Sequence, residues 1–334
     1  MNFAATLLQW FKNNGRSLPW RETNDAYAIW LSEVILQQTR IAQGMSYWER
    51  FIAQWPTIND LAAATEDEVL KAWQGLGYYS RARNLHTAAR QVANLGEFPQ
   101  TFKELKLLKG VGDYTAAAIA SIAFGEPVAV VDGNVYRVLS RYYGISTPID
   151  STEGKKEFQA LAQSLLPTSE PADYNEAIMD FGAIQCTPIS PRCTTCPLCE
   201  TCVAFREQRI NELPVKSKKV KQRERHFTYL YIEHEGELAI HQRGAGDIWQ
   251  GLWEFPQVEQ LVSSKDSIWK TEAQLLRKGV KHILTHQILL ADIYLWLPKH
   301  RPQLPSDFIW IEKQDLDNYA LPRLIEVLLN AVPV

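Results

Sequence analysis

Along the first two thirds of the chain, apolar positions recur at three- and four-residue intervals. Leu7, Leu8 and Phe11 do so, and again Val69, Leu70 and Trp73, the spacing that lines one face of a helix. Thr65 followed by Glu68 has the form of a capping box, and Gly75, Gly77 and Gly125 stand where helices should stop or turn. The pattern predicts an all-α domain over residues 1–206. It then changes: residues 207–225 hold seven basic side chains (Arg209, Lys216, Lys218, Lys219, Lys221, Arg223, Arg225) against three Glu, and read as a basic linker. Residues 226–232, 237–241 and 288–297 alternate as strands do, and residues 321–329 return to helical spacing, so residues 226–334 are predicted to form an α+β domain.

Length and composition narrow the class. At 334 residues and 46% apolar content the chain has material for two buried cores, which excludes disorder and collagen-like structure. The longest uncharged apolar stretch, residues 114–125, is 12 residues long, whereas a membrane span needs about 20. The start lacks a basic region and a cleavage site, so the expectation is a soluble cytoplasmic protein, nucleoid-associated in a bacterium, with no membrane partner. Lys and Arg number 35 against 38 Asp and Glu, a net charge of -3, which in bulk argues against nucleic acid. By segment the charge is -3, +4 and -4, so any grip on phosphate must be local.

Chemistry concentrates in a few segments. In Leu107-Leu108-Lys109-Gly110-Val111-Gly112-Asp113-Tyr114-Thr115 two glycines separated by one residue precede an Ala-rich helix. Such a turn either joins two helices or lets the backbone N–H groups of Gly110, Val111 and Gly112 grip an anion. Some 20 residues on, Val131-Asp132-Gly133-Asn134-Val135 places a lone carboxylate after an apolar run, either as a helix cap or as a catalytic group. Glu33 stands in an otherwise apolar stretch, where desolvation would raise its pKa; the alternative is a solvent-facing position. Five cysteines fall between residues 186 and 202, pointing to a metal or cluster site. Two sets of four are possible: Cys186, Cys193, Cys196, Cys202, or Cys193, Cys196, Cys199, Cys202; either could hold iron-sulfur or zinc.

The L-x-G-V-G and V-D-G-N-V-x-R-V-L segments resemble the helix-hairpin-helix, Gly/Pro-Asp superfamily of base-excision DNA glycosylases, and within it the MutY family of adenine DNA glycosylases. Leu18-Pro19-Trp20-Arg21, Trp30-Leu31-Ser32-Glu33-Val34-Ile35-Leu36-Gln37-Gln38-Thr39 and Gly75-Leu76-Gly77-Tyr78-Tyr79-Ser80-Arg81 carry the resemblance further. It implies removal of adenine mispaired with 8-oxoguanine or guanine in duplex DNA, by a monomer. Glu33 would be the general acid and Asp132 the carboxylate that stabilises an oxocarbenium-like sugar, with Asn134 in the same network. Tyr114 stands where members resembling endonuclease III carry a Schiff-base Lys, which implies a monofunctional enzyme; a bifunctional glycosylase/lyase is the alternative. Trp20, Arg21, Leu36 and Glu176 match the family's adenine pocket. Gln38, Thr39 and Tyr78 match positions that enter the base stack, while Tyr79 reads as core.

The same resemblance selects Cys186, Cys193, Cys196 and Cys202 as ligands of a 4Fe-4S cluster and leaves Cys199 aside. The segment Gly251-Leu252-Trp253-Glu254-Phe255-Pro256 resembles the second domain of that family, which shares the Nudix fold. No Glu-rich magnesium-binding helix follows it, so binding without hydrolysis is expected. Leu284, Thr285 and His286 stand where the family carries a Phe-Ser-His motif that reads 8-oxoguanine. Thr keeps the hydroxyl and Leu removes an aromatic surface, while His286 has a buried structural role as its alternative reading.

Overall fold

The computed structural model describes residues 2–217, 222–261 and 269–333. The chain divides into two units, the first made of Met1–Asn59 with Thr87–Lys218 and the second of Asp60–His86 with Lys219–Val334. The sequence pattern placed residues 60–86 with the helical domain, as their periodicity suggests. In the structure they pack inside the second unit: Asp67 accepts from Gln242 at 2.8 Å, Lys71 donates to the Tyr319 carbonyl at 3.2 Å, and Arg83 donates to the Gln250 carbonyl at 2.6 Å. Helical spacing reports which face is apolar, but it does not say which distant segment covers that face.

The helices run in chain order as α1 (Phe3–Asn14), α2 (Ala26–Ile35), α3 (Ile41–Gln54), α4 (Ile58–Ala63), α5 (Glu66–Trp73) and α6 (Ser80–Leu95). They continue with α7 (Phe102–Leu105), α8 (Asp113–Phe124), α9 (Gly133–Tyr143), α10 (Thr152–Leu165), α11 (Pro171–Asp180) and α12 (Val203–Arg206). The predicted capping box is present: Thr65 accepts from the Glu68 N–H, and the Glu68 carboxylate accepts from the Thr65 N–H. Gly125 ends α8 in the left-handed region at φ 69°, where a side chain would be strained. In the first unit's core, Phe3, Leu7 and Trp10 of α1 meet Val135, Val138 and Leu139 of α9, together with Phe158, Tyr174 and Ile178. All ten residues of α2 are buried, the pattern of a helix enclosed on every side. No helix among the described residues is long and apolar enough to cross a membrane.

The second unit is built on a mixed sheet. Its strands are β1 (Arg223–His234), β2 (Glu237–Gln242), β3 (Trp253–Glu254), β4 (Gln274–Ile283), β5 (Gln287–Trp296) and β6 (Phe308–Glu312). The order is β3-β2-β1-β5-β4, with β6 also on β2; β1 and β5 are parallel and the other pairs antiparallel. A helix over Arg323–Leu329 packs Leu324, Ile325 and Leu328 against Tyr229, Ile240 and Ile293 of the sheet. Strand β4 was not legible in the sequence because it is an edge strand, mostly exposed, with two register shifts that break its alternation. The segment expected as a linker carries structure of its own. Leu213 is buried, Val215 accepts from the Ile149 N–H, and Arg223 and Arg225 belong to β1. Lys218, Lys219 and Lys221 lie outside the described residues.

Candidate active site

Asp25 caps α2 by accepting the Tyr27 N–H, and the helix carries Glu33 into the interior, where it is 9% exposed. The solvent-facing alternative therefore fails. Burial raises the Glu33 pKa to about 7; the Tyr114 hydroxyl and the Arg21 charge oppose the rise, and the carboxylates of Asp132 and Glu176 add to it. Tyr114, on the first turn of α8, lies near enough to Glu33 to influence its titration, and its hydroxyl is 3.7 Å from Met179 Sδ. Burial, then the neighbouring Glu33 and Asp132, push its phenol well above the usual tyrosine value, so it stays neutral.

Asp132 is both of the things its sequence context allowed. It caps α9, accepting from the Val135 N–H at 2.7 Å, and it is also a half-buried carboxylate near enough to Glu33 for its charge to help raise that group's pKa. Asn134 Nδ2 donates to its other oxygen at 2.7 Å. Burial raises the Asp132 pKa, and these two hydrogen bonds hold the rise back. The next shell comes from Arg137, one turn along α9. Its Nη2 donates to Asn134 Oδ1 at 2.8 Å and to the Gly182 carbonyl at 2.6 Å, and its Nε to the Cys186 carbonyl at 2.7 Å. Gly182 sits so close that an added Cβ would lie 2.6 Å from Asn134 Cβ.

On the other side of Glu33, Arg21 Nε donates to Glu176 at 3.0 Å, while Nη1 and Nη2 hold Asp180 at 2.9 and 3.0 Å. Arg16 also bonds Asp180, through its backbone N–H at 3.0 Å and through its guanidinium. Burial works against the Asp180 charge, but the hydrogen bonds from Arg21 and Arg16 overcome it and hold the carboxyl below its ordinary range. Trp20 is buried edge-on to Trp48 at 5.5 Å. Leu36 is half-buried at the end of α2, and Gly44 leaves the room it occupies: a Cβ there would lie 2.6 Å from Leu36 Cδ2. Sequence reasoning missed Asp180, Arg16, Arg137 and Gly182. Asp180 follows Glu176 by one helical turn, the one signal that could have found it.

The glycine hairpin has the expected form. Gly110 has φ 77°, and Gly112 caps α8 without a side-chain acceptor, so the first-turn N–H groups point outward. Asp113 in that turn pairs with Lys106 at 2.5 Å. Gln38 and Tyr78 both hold φ above zero, at 56° and 48°, in a region that non-glycine residues seldom adopt and that clusters at functional sites. Gln38 is exposed and Thr39 half-buried in the first unit. Tyr78, in the second unit, is 46% exposed, whereas Tyr79 is buried as expected. In that second unit the Tyr78 hydroxyl meets Thr285 Oγ1 at 2.6 Å. Leu284 packs on the sheet core, and His286 is exposed, which removes its buried alternative.

All five cysteines are free thiols lining one cavity with Arg141, so lining alone leaves both sets of four open. Among the described residues no three His, Cys, Asp or Glu side chains are placed to hold one metal ion. Four thiolates suit a 4Fe-4S cube, which takes one at each of its four irons, and four thiolates also suit a single zinc. Arg141 braces the loop. Its Nη1 approaches Cys186 Sγ at 3.5 Å and donates to the Thr187 carbonyl at 2.8 Å, and its backbone carbonyl lies 3.5 Å from Cys202 Sγ.

Residues 31–167 match the model of the HhH-GPD superfamily base excision DNA repair proteins, and residues 228–331 match that of the NUDIX domain. The chain is 30% identical to the adenine DNA glycosylase of Buchnera aphidicola subsp. Schizaphis graminum, over 98% of both chains. It is 37% identical to that of Mus musculus, over 96% of this chain and 75% of the mouse protein. Among solved structures, a thermostable thymine-DNA glycosylase aligns at TM-score 0.57 and 33% identity, over 61% of this chain and 95% of that one. A non-covalent endonuclease III–DNA complex aligns at TM-score 0.54 and 24% identity, over 61% and 94%, and shares the fold.

Proposed function

Because the chain belongs to the adenine DNA glycosylase family of the helix-hairpin-helix base-excision superfamily, we propose that it hydrolyses the N-glycosidic bond of adenine opposite 8-oxoguanine or guanine in duplex DNA. The observation that carries this reading is the presence together of a buried Glu33, with its carboxyl raised to about 7, and Asp132, which accepts hydrogen bonds from the Val135 N–H and the Asn134 amide. Near neutral pH Glu33 holds a proton that it gives to a ring nitrogen of the leaving base. The C–N bond breaks with its electrons on the base, and water completes the sugar as its own proton leaves. Asp132 faces the cationic sugar. Burial raises the pKa of Asp132 as it does that of Glu33, but the hydrogen bonds from Val135 and Asn134 restrain the rise at Asp132, whereas Glu33 climbs to about 7.

Arg21 and Glu176 form the polar wall of the adenine pocket, Trp20 and Leu36 the apolar wall. Glu176, held by Arg21, keeps an oxygen for the amino hydrogens of adenine. Gln38 and Thr39 are the first unit's contacts to the base stack and Tyr78 is the second unit's, and the N–H groups of Gly110, Val111 and Gly112 grip a phosphate. Tyr114 stays a neutral phenol and cannot form a Schiff base, so the enzyme is monofunctional. Cys186, Cys193, Cys196 and Cys202 would hold a 4Fe-4S cluster. The N–H of Arg141 directed at Cys186 Sγ suits a thiolate ligand, and the bound cluster supplies a rigid cross-link to residues 186–202. The protein acts as a monomer on DNA, and its second unit inspects the base opposite adenine through Leu284, Thr285 and His286.

Adenine release from a duplex carrying one A:8-oxoguanine pair tests the reading. The expected product is an abasic strand that breaks only after alkali. Strand breakage without alkali, or a protein–DNA adduct trapped by borohydride, would instead establish the bifunctional lyase.

A further inference from the structure

The second unit contains a cavity of about 600 Å³ whose wall includes Tyr78, Leu284, Thr285, His286 and, from a separate turn, Trp249. Trp249 has φ 61°, a left-handed conformation that a bulky side chain adopts only when its surroundings impose it. Here they do so on both sides. Arg243 Nε donates to the Ile248 carbonyl at 2.9 Å, Arg83 Nη1 donates to the Gln250 carbonyl at 2.6 Å, and the Leu252 N–H closes the turn on the Trp249 carbonyl at 3.0 Å. Two guanidinium groups thus clamp the carbonyls that flank one strained residue. The indole this turn presents is half-buried, 6.4 Å from Phe227 and 6.0 Å from His282, with the Arg243 guanidinium 5.9 Å from its centre. The ring is held in place, and it borders the same space as the Tyr78–Thr285 hydroxyl pair.

We propose that Trp249 is the specificity-determining platform for the purine opposite adenine, holding that base in one plane so that the hydroxyl pair can read its edge. Leu284 offers no aromatic surface on the loop, and a clamped indole on the neighbouring turn supplies one. 8-Oxoguanine differs from guanine only at the edge of its five-membered ring, where a hydrogen-bond acceptor is replaced by a donor beside a new carbonyl. Discrimination there depends on a fixed register between base and hydroxyls, and stacking supplies that register. The proposal rests on the reading that the second unit inspects this base.

The test is the ratio of single-turnover adenine release from A:8-oxoguanine and A:G duplexes, measured for the full-length protein, Trp249→Leu, Trp249→Phe and Thr285→Ala. Trp249→Leu is expected to lower the ratio on the order of tenfold, the scale of losing one aromatic–base stack, with Trp249→Phe retaining most of it. Should Trp249→Leu fail to fold, Trp249→Gly removes the ring while adopting the left-handed backbone without strain, and carries the same expectation. An unchanged ratio in the Trp249 variants with a lowered one in Thr285→Ala overturns the platform and leaves the inspection reading standing. A ratio unchanged in all of them overturns both. A loss as large in Trp249→Phe as in Trp249→Leu also refutes the platform, because an aromatic ring would then not be what matters.

Discussion

Replacing Glu33 by Gln keeps the shape of a protonated carboxyl and removes its ability to ionise, so it isolates what burial does to this group. The ordinary value of 4.5 rises to about 7 in the folded protein. Between these two values the unfolded chain has released the proton and the folded chain has kept it, so stability falls as pH rises, by about 1.4 kcal/mol per pH unit. The contribution is complete below 4.5 and gone above about 7, roughly 3 kcal/mol in all. The variant has no such slope. Comparing thermal midpoints at pH 5 and pH 8, the variant should gain about 2.5 kcal/mol on the wild type, or on the order of 5 to 10 °C for a unit of this size. Its adenine release should be abolished at both pH values, while wild-type release declines above about pH 7 as Glu33 loses its proton. A midpoint difference that does not move with pH would show that the folded protein does not raise the Glu33 pKa above its ordinary value, and the assignment of the acid would fall with it.

Two further outcomes follow from close contacts. Gly182→Ala drives a methyl to within 2.6 Å of Asn134 Cβ and 3.0 Å of its backbone. It should cost about 1–3 kcal/mol of stability and slow adenine release, because Asn134 holds Asp132; a wild-type rate and melting temperature would refute that coupling. Cys199→Ser should leave iron content and the brown chromophore unchanged while Cys186→Ser loses both, and the reverse outcome in an iron assay would select the rival set of cysteines.

What could be read before any fold was known is local. The capping box at Thr65 and Glu68, the left-handed stop at Gly125, the glycine hairpin before α8 and the strands at β1, β2 and β5 each depend on residues a few positions apart. An acid inside an apolar helix, at Glu33, is also a local signal. It announced desolvation, though not the four neighbouring groups whose balance against burial sets the outcome. The edge strand β4 escaped because exposure and two register shifts erase the alternation that marks a strand.

By itself, then, the sequence determined the helical and sheet regions, the place of an acid within an apolar helix and the cysteine spacing. Main-chain hydrogen bonding and side-chain periodicity are properties of neighbouring residues, so a linear pattern can carry them. The tertiary structure decided the rest. Asp180 receives two guanidiniums from 164 and 159 positions away, residues 60–86 pack with the second unit, and the carbonyls on either side of Trp249 are held by arginines at positions 83 and 243. Each of these depends on contacts between residues that are distant along the chain. Buried charges require such partners, and only packing determines which ones they meet.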